Sequence, residues 1–163
     1  MKLARTGLIA AAILAVSSVA FAQNPDFSGT WTPDAPAAAP AAPAGGGGRG
    51  GGMGGPMTVK QTATELTIER TMGENKTTTT YKLDGTESVN KMMGRGGEVE
   101  AKSTAKWDGS KLSIVTKQAA PDGSVRESSQ TWSLEGGNLV VESTRQGRDG
   151  APVTAKTTYK KTT

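Results

Sequence analysis

Glu98-Val99-Glu100-Ala101-Lys102-Ser103-Thr104-Ala105-Lys106-Trp107-Asp108-Gly109 switches between charged or hydroxylated residues and small or apolar ones at every step. That period of two puts Val99, Ala101, Ser103, Ala105 and Trp107 on one face of a pleated strand. Glu98, Glu100, Lys102, Thr104 and Lys106 fall on the other. Asp108-Gly109 then ends the run, since glycine takes the positive φ that tight hairpins need. The stretch reads as one strand of an antiparallel sheet with a single apolar face.

The same grammar extends in both directions. Leu66 and Ile68, Tyr81 and Leu83, Leu112 and Ile114, and Val153, Ala155 and Tyr159 each alternate with polar neighbours. The threonine run Thr77 to Thr80 suits a pleat and disfavours a helix. Asp84-Gly85, Asp122-Gly123, Gly136-Gly137-Asn138 and Asp149-Gly150 punctuate these runs. Ten strands are predicted, at 27–32, 57–62, 65–71, 76–83, 86–91, 98–107, 111–118, 124–134, 138–146 and 152–160. An all-β up-and-down meander of that length is expected to close into a barrel, because an open sheet leaves two unpaired edges.

An internal repeat supports the reading. Trp107 leads through Leu112-Ser113-Ile114, Thr116-Lys117-Gln118 and Asp122-Gly123 to Trp132. Trp132 leads through Leu139-Val140-Val141, Thr144-Arg145-Gln146 and Asp149-Gly150 to Tyr159. A weaker copy runs from Leu66-Thr67-Ile68 to Tyr81. Each unit is a strand pair closed by an aromatic residue.

Upstream of the meander the character changes twice. Residues 1–22 carry Lys2 and Arg5, an apolar run from Leu8 to Val16, and the small-residue ending Ala20-Phe21-Ala22. This is the pattern of a removable secretion signal, and its apolar run is shorter than a membrane-spanning helix. A periplasmic or secreted product is expected, without a lipid anchor, since the chain has no cysteine. Residues 23–32 hold a first strand with the motif Phe27-Ser28-Gly29-Thr30-Trp31. Residues 33–56 interleave Pro33, Pro36, Pro40 and Pro43 with alanines and continue into a glycine run. Such a segment buries too little surface to offset its ordering entropy and is expected to be disordered. The barrel body is assigned to 57–163.

Composition excludes several function classes. The chain has 19 Lys+Arg, 15 Asp+Glu, no histidine and no cysteine. Without Lys2 and Arg5 the balance falls to a net of +2, too slight to argue for nucleic acid. The usual zinc and copper ligands and the commonest general base are missing. Glu98 and Glu100 share a face with Lys102 and Lys106, which makes an ordinary solvated surface. Ser128 and Ser129 have no histidine to activate them. No enzyme, cofactor, metal site or stable membrane insertion is expected, and no protein partner is identified.

Phe27-Ser28-Gly29-Thr30-Trp31 resembles the Gly-x-Trp opening of the lipocalin-like, or calycin, superfamily. The closing segment, Leu139-Val140-Val141 through Thr158-Tyr159-Lys160, is similar to the last hairpin of its fatty-acid-binding branch. The resemblance implies a closed barrel around a lipid cavity. Two features depart from that branch. The proline and glycine arm stands where a helical lid would lie, and Thr157 stands where an arginine would grip a carboxylate. The second arginine of the branch would fall near Thr131 or Trp132.

The expected function is therefore non-enzymatic binding of a small, mostly apolar ligand. Tyr81, Trp107, Trp132 and Tyr159 are the candidate cavity lining, and Trp31 is the candidate barrel plug. The alternative is a structural or protein-interaction β-module of a bacterial-type cell envelope, with no small-molecule ligand. Limited proteolysis is expected to cut within 35–56 and to leave the later strands intact; a resistant arm would contradict the assigned disorder.

Overall fold

In the computed structural model, residues 24–34, 55–72, 74–94, 97–120, 123–147 and 150–162 are described. Residues 1–22, expected as a secretion signal, and most of the arm at 33–56, expected to be disordered, lie outside them. The alternating runs become ten strands: β1 (Gly29–Pro33), β2 (Met57–Gln61), β3 (Glu65–Met72), β4 (Asn75–Lys82) and β5 (Glu87–Gly94). β6 (Gly97–Asp108), β7 (Lys111–Ala119), β8 (Val125–Glu135), β9 (Asn138–Gln146) and β10 (Pro152–Thr162) complete the set. All belong to one antiparallel sheet, in the order β4-β3-β2-β1-β10-β9-β8-β7-β6-β5. Trp31 pairs with Lys161, so the first strand meets the last and the meander curls into a nearly closed barrel.

Local chemistry sets the turns. Glu135 pairs with Asn138, which leaves Gly136 and Gly137 as a two-residue loop with φ of 59° and 83°. Two successive positive φ values match the right-handed strand twist and exclude most side chains. Phe27 falls outside the first strand, contrary to the expected start at 27. Gly29, at φ 139°, redirects the chain, and a Cβ there would meet Lys161 Cε at 2.5 Å. The segment before it crosses under the barrel instead of continuing the pleat.

The register gives the internal repeat its physical meaning. Leu66 faces Tyr81, Leu112 faces Trp132 and Leu139 faces Tyr159 across their hairpins. All six side chains are buried. Each unit thus delivers one leucine–aromatic pair to the core, and cross-strand pairs of this kind contribute roughly 0.2–1 kcal/mol each. The valines that follow Asp122-Gly123 and Asp149-Gly150 in the repeat part company: Val153 shares the inward face with Tyr159, whereas Val125 lies on the face away from Trp132 and is 64% exposed. The cause is arithmetic, since Val125 is an odd number of residues from its aromatic and Val153 an even number.

One seam breaks the ladder. β4 and β5 are consecutive in the chain but stand at opposite ends of the strand order. Side chains span the gap between them. The Thr80 amide donates to Asn90 Oδ1 at 2.9 Å, and Asn90 Nδ2 donates back to the Thr80 carbonyl at 2.9 Å. The Lys82 amide donates to Ser88 Oγ at 2.8 Å. The carboxamide of Asn90 makes the two bonds that a peptide group of a neighbouring strand would make. Ser88 and Asn90 are both buried polar residues, and these bonds satisfy them.

Asn90→Ala is expected to destabilise the barrel by about 1–3 kcal/mol, because Thr80 keeps a buried donor and acceptor without partners. Amide exchange at Thr80 should accelerate in the same variant; unchanged protection there would show that the seam is held by something else.

Candidate functional site

Two ends of the barrel interior differ in kind. At one end Phe27 is fully buried, stacked on Trp107 with ring centroids 5.7 Å apart and set edge-on to Trp132 at 5.8 Å. Aromatic contacts of this sort contribute about 0.5–1.5 kcal/mol beyond the area they bury. Gln61 of β2 fixes the crossing segment. Its Oε1 accepts from the Phe27 amide at 3.0 Å, and its Nε2 donates to the Pro25 carbonyl at 2.9 Å. Hydrogen bonds from the Ser28 hydroxyl and amide hold the Asp26 carboxyl below its usual range. The Trp31 indole N–H donates to the Phe27 carbonyl at 2.8 Å, and the Lys161 ammonium lies 5.6 Å from the centre of the Trp31 ring.

This closed end gathers the residues singled out by the sequence. Trp31, Tyr81, Trp132 and Tyr159 are buried in one cluster, and Trp107 is half-buried against it. The Trp132 indole N–H donates to Gln130 Oε1 at 3.0 Å, so its polar edge is satisfied. Phe27, which sequence reasoning treated only as part of a motif, occupies the centre of the plug.

Along β7 to β10 the inward face then changes from buried to open, whereas on β6 Ala105, Ser103 and Ala101 all stay buried. On β7, Leu112 and Ile114 are buried while Thr116 and Gln118 are half-buried. On β8, Trp132 gives way to Gln130 and Ser128, then to exposed Arg126. On β9, Leu139 and Val141 give way to Ser143 and exposed Arg145. On β10, Tyr159 gives way to Thr157, Ala155 and Val153. The interior is a cup, packed at the bottom and lined above by small, mixed side chains. Thr157, the position of the missing family arginine, lies on that wall.

Charge is sorted by face. Among the described strands every aspartate and glutamate occupies an outward position, and lysines pair with them there. Lys60 and Lys76 both reach Glu69, at 3.1 and 3.0 Å, and Lys91 reaches Glu98 at 2.9 Å. The arginines take the other side. Arg70 of β3, opposite Met57, is inward and half-buried, and its Nη2 lies 3.2 Å from the Met57 sulfur. Arg126 and Arg145 lie inward on β8 and β9, near the open end. The sequence already held this signal, since parity with Trp132 and Val141 places both arginines on the inner face.

Two clefts border the sheet mainly at outward positions. One, of about 160 Å³, is lined by Glu127, Ser129, Thr144, Gln146 and Pro152 of the outer face together with Ser128 and Arg145. The other, of about 220 Å³, lies beside Pro56, Met57 and Glu69. Neither includes a Trp or Tyr side chain. Among the described residues no three carboxylates gather as a metal site, and no helix is long and apolar enough to cross a membrane.

Comparison with solved structures follows from this geometry. A variant of the fluorescent protein UnaG superposes with a TM-score of 0.52 at 23% identity, over 84% of this chain and 96% of that one. The chain has the calycin fold. Zebrafish ileal bile-acid-binding protein with cholic acid matches at 25% identity and a TM-score of 0.47, covering 66% of this chain and 72% of that one. Lipid binding protein 8 of Caenorhabditis elegans matches at 13% identity and 0.48, covering 66% and 70%. No family model and no curated protein matches the sequence. The all-β, ten-stranded architecture expected from the alternation is the one observed.

The chain's two tyrosines give a pH signature. Burial pushes the phenols of Tyr81 and Tyr159 above their ordinary value, against the lowering pull of the nearby Arg70 charge. An acid raised in the folded state adds stability that is fully present below its unfolded pKa of about 10 and is lost as pH climbs through the folded value. Tyrosinate absorbance should therefore appear only above about pH 10 and together with loss of the near-ultraviolet dichroism. Ionisation of both phenols at their ordinary value in a still-folded chain would contradict their placement.

Proposed function

We propose that this is an exported, non-enzymatic barrel that holds a small, mostly apolar molecule in the upper half of its interior. The observation that carries the reading is the gradient along the inner face: side chains pointing into a nearly closed barrel stay half-buried from Thr116, Gln130, Ser143 and Thr157 upward. An inward residue that keeps access to solvent borders space, and a concave space walled by Val99, Ala155 and hydroxyl groups is suited to a compact ligand. The aromatic cluster is then the floor of the site. Trp107 is half-buried at its edge, and Tyr81, Trp132 and Tyr159 pack beneath it. Lack of histidine and cysteine in the whole chain supports binding over catalysis. The signal-like residues 1–22 support export.

The packed floor favours a second reading, in which the barrel is an interaction module that needs no ligand. The two readings part on one measurement. The neutral probe N-phenyl-1-naphthylamine is expected to brighten saturably with one site per chain. Ala155→Trp, which fills the wall halfway up, is expected to abolish that response while preserving the fold. A wild-type barrel that never brightens the probe would overturn the ligand reading and leave the interaction module.

A further inference from the structure

We propose that residues 24–34 form a separable clasp, and that the slot they fill between β2 and β10 accepts the same segment from a second copy of this chain. The inference concerns closure of the wall and holds whether or not the barrel carries a ligand.

Three observations lead there. The first is the connection. Trp31 pairs with Met57, so the β1–β2 ladder continued by two residues would set Pro33 beside Gly55. An antiparallel pair in that position needs a loop of only about 2–5 residues. The chain instead places residues 35–54, rich in alanine, proline and glycine, in the link. No geometric demand of the hairpin ties β1 to the barrel of its own chain.

The second is the order within the segment. The Ser28 amide donates to Asp26 Oδ1 at 2.9 Å, and the Trp31 indole donates to the Phe27 carbonyl at 2.8 Å. The segment thus carries part of its own conformation, as a preorganised peptide ligand does. The third is where its remaining contacts go. Ser28 Oγ accepts from the Gln61 amide at 3.0 Å, Thr30 meets Thr58 at 3.4 Å, and Thr32 meets Thr162 at 2.9 Å. The Asp34 amide donates to the Thr158 carbonyl at 2.9 Å, and its carboxylate pairs with Lys160. Like the Gln61 clamp on Pro25 and Phe27, these contacts all reach residues beyond the link. A second copy supplies the same partners unchanged, which is the condition for strand exchange.

Withdrawal of the clasp leaves β2 and β10 with facing unpaired edges, a template for a strand of the same register. Mass action then decides which copy fills the slot. A coil of the link's length and composition holds the clasp near its own slot at an effective concentration on the order of 1 mM. The closed monomer is therefore expected in dilute solution, and exchange as the protein approaches about that concentration.

The chain has no cysteine, so introduced thiols report on the slot without interference. Thr32 and Thr162 are exposed, and their hydroxyls meet across the β1–β10 ladder. Two single variants of the chain from residue 23 onward, Thr32→Cys and Thr162→Cys, are mixed and then oxidised. Links from position 32 of one chain to position 162 of the other are expected to outnumber 32–32 and 162–162 links. They should rise at least about tenfold between roughly 10 µM and 1 mM protein. A synthetic peptide of residues 23–34 with Thr32→Cys should be captured by the Thr162→Cys chain. Capture should fall at least about tenfold when the peptide also carries Phe27→Ala and Trp31→Ala, whose side chains are buried in the clasped barrel. As a measurement free of thiols, light and isotopically heavy wild type held together at about 1 mM should give dimers of mixed mass. Links without preference for 32–162, capture that ignores Phe27 and Trp31, or the absence of mixed dimers at every concentration would each overturn the proposal.

Discussion

Pairing of the first strand with the last is the constraint on which this molecule depends. Every other ladder joins strands that are neighbours in the chain; the β1–β10 ladder alone joins segments about the whole body apart. β1 has five residues, yet it holds β2 on one side and β10 on the other. Its docking carries Trp31 inward and sets the preceding segment under the barrel, where Gln61 clamps it and Phe27 enters the aromatic cluster. With no cysteine to staple the ends, this closure relies on backbone pairing, burial, the Thr32–Thr162 hydroxyl pair at 2.9 Å and the Lys160–Asp34 ion pair. Such non-local contacts are slow to form, because loop closure precedes the bonds that reward it.

Closure at one place leaves a discontinuity at another. Once β1 bridges β2 and β10, the circle is interrupted between β4 and β5, which a simple meander would have paired. An exposed gap there would present two strand edges, a template for pairing with other chains. Asn90 and Ser88 occupy those edge groups with side-chain bonds to Thr80 and Lys82. The hydrogen bonds of Asp84 to the Thr86 amide and hydroxyl, at 2.8 and 2.7 Å, tighten the turn between the two strands. The seam is thus sealed without a ladder, at the cost of two polar side chains in a buried setting.

Much of this architecture was legible in the sequence, and the limits have physical causes. Period two and the Asp-Gly and Gly-Gly turns marked all ten strands to within a few residues, because alternation and positive φ are local properties. The leucine–aromatic repeat was legible as spacing, and the register shows why it recurs. Partners determined by closure were not legible. β10 runs to Thr162, two residues beyond its expected end, because Thr30 and Trp31 supply partners there. Phe27 leaves the pleat because Gly29 turns the chain before a strand can extend to it. Asn90 reads as an ordinary polar residue until the β4–β5 gap gives its carboxamide a task. Parity with Trp132 and Val141 places Arg126 and Arg145 on the inner face in the sequence itself.

The two halves of the interior make complementary demands. Fully burying large apolar side chains contributes roughly 1.5–3 kcal/mol each, and the closed end concentrates Phe27, Trp31, Leu66, Leu112, Trp132 and Tyr159 there. A floor packed in this way stabilises the barrel without contribution from the upper wall. The upper wall is consequently free to carry residues that weaken a core, and it does: Thr79, Thr116, Ser143 and Thr157 fill space poorly, and Arg70 resists burial. In a barrel whose only task was to persist, those inward positions would favour valine and isoleucine, which the pleat accommodates best. Instead Thr79, Thr116, Ser143 and Thr157 put small hydroxylated side chains there, and those positions stay half-buried above the packed floor.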